Sequence, residues 1–378
     1  MTLSTTSTTG KAPTAAGADF LPLECIDHIE FYVGNAYQAA HYYRHMFGFN
    51  IVGHCGLETG NKEKAGFVLE QGNIRFVLMT ALTPDHEIAR HCQLHGDGVK
   101  TIAFRVKDVD SAIATVKERG ATVVQQPVTR EDDFGSLRWA TIRTYGETLH
   151  AFVDRSNYSG SIGPGFEAVS VPAPKGTGLA AVDHIVGNVE LGAMNYWAEF
   201  YRSVLGFEQL THFTEEDIST DYTALMSKVM QNGTGKIKFP INEPAEGKKK
   251  SQIEEYLDFY RGAGVQHVAM NTSNICETVR MLRSNGVGFL RVPDTYYDAL
   301  PKRVGAIDED FAEIKDLGIL VDRDEEGYLL QVFTQPLEDR PTLFFEIIER
   351  HGSRGFGIGN FKALFVSIEE EQKRRGTL

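Results

Sequence analysis

The feature that most constrains this chain is that it repeats itself. Gly96–Pro127 (GDGVKTIAFRVKDVDSAIATVKERGATVVQQP) aligns without a gap on Gly262–Pro293 (GAGVQHVAMNTSNICETVRMLRSNGVGFLRVP). Each reads as a strand, a polar cap (Asp108 or Asn274), a helix, a glycine stop (Gly120 or Gly286), then a short strand closed by proline. The helical spacing puts Val109, Ile113 and Val116 on one face, and Ile275, Val279 and Leu282 on its counterpart. A second pair agrees. Ile26–Phe49 matches Val182–Phe207, which has two extra residues, and each runs strand, turn, helix and Gly-Phe exit. A third pair, Gly146–Arg155 (GETLHAFVDR) and Pro341–Arg350 (PTLFFEIIER), is strand-like in both copies.

The repeats predict an α+β chain of two similar domains with mixed sheets, at residues 21–155 and 181–378. The stretch 156–180, rich in Gly, Ser and Pro, reads as a linker. Residues 1–20 have the Thr/Ser/Ala/Gly composition of a disordered tail, with no hydrophobic centre of a signal peptide. Phe361, Leu364, Phe365 and Ile368 form an apolar stripe on a C-terminal helix over about 360–374. No apolar run is long enough to span a bilayer. A net charge of -13 argues against a nucleic-acid or anionic-membrane partner, since both need basic surface. The short basic run Lys248–Lys250 reads as a solvated turn. Cys25, Cys55, Cys92 and Cys276 are scattered without a CxxC, which predicts reduced thiols and a cytoplasmic location.

Duplication supplies an internal control. At matching points of three strands the second half carries His184, His267 and Glu346, where the first carries His28, Thr101 and Ala151. Two imidazoles and a carboxylate leave coordination positions open, as in iron(II) oxygenases. The same set could hold zinc in a hydrolase, although that use draws two ligands from an HExxH helix, which this sequence lacks. A lone strand histidine is more often structural than a ligand. Glu346, however, lies in the apolar run LFFEII, where an unpaired carboxylate is costly. Other patterns give less. His41/His45 and His91/His95 are helix-spaced pairs with no carboxylate close in sequence, and read as surface or packing residues. Asp322–Gly327 opens like a calcium loop but has Phe333 where the twelfth-position Glu belongs, so it reads as a turn before a strand. Gly355–Gly359 lacks the GxGxxG spacing of a phosphate loop.

The paired modules resemble the vicinal oxygen chelate superfamily. The second half is similar to the 4-hydroxyphenylpyruvate dioxygenases through Val182-Asp183-His184, FPINEP at 239–244, Lys250–Ile253, GAGVQH at 262–267 and LVDRD at 320–324. The likeness continues in LLQVFT at 329–334, RPTLFFEIIER at 340–350 and GFGIGNF at 355–361. The resemblance implies four βαβββ modules paired into two open barrels, the C-terminal helix forming a lid. It also implies one Fe(II) per chain on His184, His267 and Glu346, and conversion of 4-hydroxyphenylpyruvate and O2 to homogentisate and CO2 in tyrosine and phenylalanine catabolism. Ser227, Asn242, Gln252 and Gln266 would orient the substrate, and Gln331 would lie near the metal. Phe333, Phe344, Phe356 and Phe361 would wall the ring. A homo-oligomer, dimer or tetramer, is implied as well. Hydroxymandelate synthase is the alternative with the same substrate and triad, while Pro240, Asn242 and Phe361 match the ring-hydroxylating pattern. Ile358 departs from the family's usual Lys.

Overall fold

The computed structural model describes residues 20–214, 225–245 and 249–377. The tail expected at 1–20, except Phe20, and Lys248 of the basic run lie outside the described residues.

The first half begins with Cys25–Tyr32 (β1), Ala36–Phe47 (α1), Asn50–Cys55 (β2), Lys64–Gln71 (β3) and Ile74–Ala81 (β4). After Glu87–His95 (α2) it repeats as Gly98–Arg105 (β5), Val109–Glu118 (α3), Val123–Asp132 (β6), Gly135–Arg143 (β7) and Leu149–Asp154 (β8). Glu167–Ala168 (β9) comes from the Gly/Ser/Pro-rich stretch and pairs with β2. The second half runs Leu179–Asn188 (β10), Met194–Leu205 (α4), Glu208–Phe213 (β11), Leu225–Gln231 (β12) and Lys238–Pro244 (β13). Gln252–Tyr260 (α5) leads to Gly264–Thr272 (β14), Ile275–Ser284 (α6), Asp294–Asp298 (α7), Leu300–Val304 (α8) and Phe311–Leu317 (α9). Leu320–Arg323 (β15), Tyr328–Phe333 (β16), Phe344–His351 (β17) and Phe361–Arg375 (α10) complete it.

Local chemistry sets the helix ends. Asn35, Asp108 and Asn274 each accept a hydrogen bond from a backbone N–H three residues on, which satisfies a donor the first turn leaves open. Gly48 and Gly206 end α1 and α4 in the left-handed conformation, at the Gly-Phe exits of the repeat. Helix α1 buries Ala36, Ala40, Tyr43 and Phe47, and α4 buries Met194, Tyr201 and Val204.

The strand order of the first sheet is β2-β3-β4-β1-β5-β8-β7-β6, with β9 added outside β2. The second is β11-β12-β13-β10-β14-β17-β16-β15. These orders are the same, strand for strand. Parallel pairing recurs at β1/β4 and β10/β13, and at β5/β8 and β14/β17. Each half is therefore a curled mixed sheet of two βαβββ modules. The copies differ after Gly286. The strand expected there is absent, and residues 287–293 make only an isolated bridge from Phe289 to Thr334. Pro293 starts a helical excursion (α7–α9) that takes the chain away from the sheet edge before β15.

One core runs through both halves. Phe345 on β17 packs against Phe47, Tyr43 and Phe76 of the first half, with ring centroids 5.2, 5.9 and 5.8 Å away. Strand alternation then turns Phe344 and Glu346 to the opposite, concave face.

Candidate metal centre

Three strands of the second sheet bring the triad together. His184 lies on β10, His267 on the adjacent antiparallel β14, and Glu346 on β17, parallel to β14. The pairing registers test the internal control directly. Ala269 pairs with Glu346 as Ala103 pairs with Ala151, so Ala151 is the true counterpart of Glu346. A register shift falls between Val182 and His184, and another between Ile26 and His28. Such bulges re-aim a side chain. Here the residue inside the shift, Asp183, carries a carboxylate that meets the imidazole of its own neighbour, with Oδ1 2.8 Å from His184 Nδ1.

All three side chains are buried. Glu346 Oε2 lies 3.1 Å from His184 Nε2 and 3.3 Å from His267 Nε2. Both Nδ1 atoms are committed as donors, His184 to Asp183 and His267 to Gln266 Oε1 at 3.0 Å. That leaves two nitrogen lone pairs facing a carboxylate oxygen. Such an arrangement repels unless a proton or a metal ion lies among the three atoms. Donors roughly 3 Å apart are what ligands about 2.1 Å from one ion present when they share a face of its coordination sphere. The residues therefore fit a divalent metal. Burial pushes the Glu346 carboxyl up, but His184 and His267 outweigh it and hold it at about 2, so the carboxylate stays ionised.

A supporting layer fixes these groups. Arg350 donates from Nε and Nη2 to Asp183, each at 2.8 Å, and from Nη1 to the carbonyl of Gly355 at 2.7 Å. Burial opposes ionisation of Asp183, but Arg350 and His184 hold its pKa well below the ordinary carboxylate range. Gln331 Nε2 donates to Glu346 Oε1 at 3.3 Å, and Asn360 Nδ2 donates to Gln331 Oε1 at 3.0 Å, which ties the start of α10 to the triad.

The triad opens onto a cavity of about 80 Å³. His184, His267, Glu346, Ser227, Asn242, Gln252, Gln266, Gln331, Phe333, Phe344, Phe356 and Phe361 all line it, so the metal-ligand and substrate positions expected from the sequence lie around one space. Ser227 and Asn242 are cross-strand partners on β12 and β13. Phe344 stacks on His267 at 4.7 Å, and Phe356 meets His184 edge-on at 5.0 Å. Helix α10 covers the opening with Phe361, Leu364 and Phe365, and Phe361 meets Phe213 at 4.9 Å. Ile358 is exposed on the lid turn.

Sequence reading missed Asp183 and Arg350, although their counterparts Asp27 and Arg155 recur in the first half, where Arg155 Nε donates to Asp27 at 2.7 Å. It also missed a carboxylate for the His91/His95 pair. Glu147, distant in sequence, lies 3.3 Å from His91 Nδ1 and 3.5 Å from His95 Nε2, with the Lys100 ammonium 3.5 Å away. Both histidines are buried, so they pack as expected, but Lys100 supplies the cation of that cluster. The calcium-like stretch is a turn, with Asp324 accepting from the backbone N–H of Glu326 and Gly327.

Comparison with known proteins agrees with this architecture. The Glyoxalase/Bleomycin resistance protein/Dioxygenase superfamily model matches residues 25–138 and 181–332. A 4-hydroxyphenylpyruvate dioxygenase of Caenorhabditis elegans is 48% identical over 365 residues, covering 93% of each chain. One from Coccidioides posadasii is 46% identical over 375 residues, covering 93% of this chain and 94% of its own. Among solved structures, a triple mutant of 4-hydroxymandelate synthase from Streptomyces coelicolor superposes with a TM-score of 0.83 at 32% identity, covering 93% of this chain and 99% of that one.

Proposed function

Because the chain belongs to the 4-hydroxyphenylpyruvate dioxygenase family, within the Glyoxalase/Bleomycin resistance protein/Dioxygenase superfamily, we propose that it converts 4-hydroxyphenylpyruvate and O2 to homogentisate and CO2 at one Fe(II) per chain. The observation that carries this reading is the convergence of two imidazoles and a carboxylate at the floor of an aromatic cavity. His184, His267 and Glu346 are the ligands in this proposal. A ferrous ion held there supplies the Lewis acidity and redox chemistry that oxidative decarboxylation and ring hydroxylation need, and zinc lacks the latter.

The remaining roles belong to the protein. Asp183 and Gln266 keep both Nδ1 atoms protonated, so that both Nε2 atoms are free to ligate. Ser227, Asn242, Gln252 and Gln266 offer hydroxyl and amide groups that orient a polar substrate in an otherwise apolar space. Phe333, Phe344, Phe356 and Phe361 flank the ring and exclude water. Helix α10 serves as the lid of the site, covering it with Phe361, Leu364 and Phe365. The four free thiols suit a cytoplasmic location, and the first half offers exposed Tyr37, Leu57 and Phe134 for assembly as a dimer or tetramer.

Turnover of 4-hydroxyphenylpyruvate by the iron-loaded protein in air, with product identification, tests the reading. Homogentisate with equimolar CO2 is expected. The similarity to hydroxymandelate synthase makes 4-hydroxymandelate the competing product, and its formation would replace the proposal. Failure to consume O2 would remove both.

A further inference from the structure

The first half has Thr101 and Ala151 in place of His267 and Glu346, yet it keeps the chamber they would face. His28, Thr101 and Ala151 line a cavity of about 280 Å³ on the concave side of the first sheet. Val77, Met79, Leu137 and Trp139 form apolar walls, and the linker segment 162–166 closes one side.

Its charges are unevenly satisfied. Glu30 accepts from Thr101 Oγ1 at 2.8 Å. Asp27 behind the wall is bonded by His28, Arg105 and Arg155. Both acids therefore have partners. Arg155, which lines the chamber with a side chain 10% exposed, donates from Nε to Asp27 and from Nη1 to the Ile162 carbonyl. Its Nη2 is buried with no hydrogen-bond partner among the described residues. The counterpart Arg350 differs. Its Nη1 meets the Ser353 and Gly355 carbonyls and its Nη2 meets Asp183. The Arg155 Nη2 has no surface open to the chamber, so Arg155 acts on an anion there through its charge alone. Lys64 and Arg130 add positive charge around the same space, and the Arg130 guanidinium lies 4.5 Å over the Trp139 ring.

The geometry points to a second ligand site in the first half, which takes a small aromatic carboxylate. Its carboxylate meets Lys64 in the field of the Arg155 and Arg130 guanidiniums, and its ring lies among Met79, Leu137 and Trp139. The site is separate from the triad and does not depend on the iron chemistry.

Trp139 gives a direct reporter, because the chain has 2 tryptophans and Trp197→Phe leaves it alone. Iron-loaded Trp197→Phe protein is titrated with phenylacetate, and with benzylamine as the cationic analogue. A saturable change in emission is expected with phenylacetate alone. Adding Ala151→Leu, which fills the chamber, should abolish the change with turnover of the second half unaltered. Lys64→Met should weaken it about tenfold. Adding Glu346→Ala should leave it intact, since the response belongs to the first half. Absence of a saturable change, an equal response to benzylamine, unaltered binding in both the Ala151 and Lys64 variants, or loss of the response in Glu346→Ala would each overturn the assignment.

Discussion

Glu346 and Ala151 occupy the same register position in two copies of one strand, and the difference between them separates a proposed metal site from a scaffold. Alanine at His184, His267 or Glu346 is expected to remove iron and turnover while the circular dichroism spectrum persists. His28→Ala is expected to leave the iron content of the purified protein unchanged, and a fall to the level of the triad variants would contradict the reading. Asp183 acts through His184. Asp183→Asn keeps the shape but not the charge that orders Nδ1–H and binds Arg350. Iron affinity should fall by about 10- to 100-fold, read by competition with a chelator. The same Asp–His–Arg unit stands in the first half without the other two ligands, so it also serves the sheet, and its presence alone does not make a metal site.

Among the elements, α10 and the turn before it decide whether the site is sealed. Gly357 has φ +74, and a Cβ there would lie 2.0 Å from Gln331 Oε1, the atom that Asn360 binds. Glycine is needed for both the backbone conformation and the close approach. Gly357→Ala should displace the turn, cost on the order of 1 kcal/mol locally, and lower kcat/KM several-fold with little change in Tm. Hydrogen exchange should show α10 less protected in the variant, and unchanged exchange there would exclude this role for the turn. The far end of α10 is tied down separately, since Arg375 Nη2 pairs with the buried Glu255 of α5 at 2.8 Å. The helix is thus held at both ends and packed on the cavity through Phe361 and Phe365.

For the whole molecule, the two halves share their interior, so acid affects them together. His150 of β8 is buried at the contact with the second half, its Nε2 2.7 Å from Tyr201 Oη, and burial pushes its pKa down to about 3. The unfolded chain takes up this proton below about pH 6.5, whereas the folded chain resists it until near pH 3. Stability from this group is therefore complete above about pH 6.5 and declines as pH falls toward the folded value, by at most about 1.4 kcal/mol per pH unit. Urea midpoints at pH 7.5 and 5.0 should differ, and the difference should shrink in His150→Phe. Equal slopes in the two proteins would show that other groups set the acid limit.

Apolar periodicity and duplication were enough to derive the two halves, the four repeated helices, the C-terminal helix and the caps Asp108 and Asn274, because these follow from neighbours a few residues apart. The asymmetry between copies also pointed to His184, His267 and Glu346, since a polar residue in an apolar strand stands out against its twin. The Asp183–Arg350 support, the approach of Glu147 to His91 and His95, and the loss of the strand after Gly286 could not be reached that way. Each depends on groups far apart in the chain, whose distance is fixed only when the sheets curl and the halves pack. Even the lid's fit turns on such a meeting, in which a glycine passes over a glutamine from another strand.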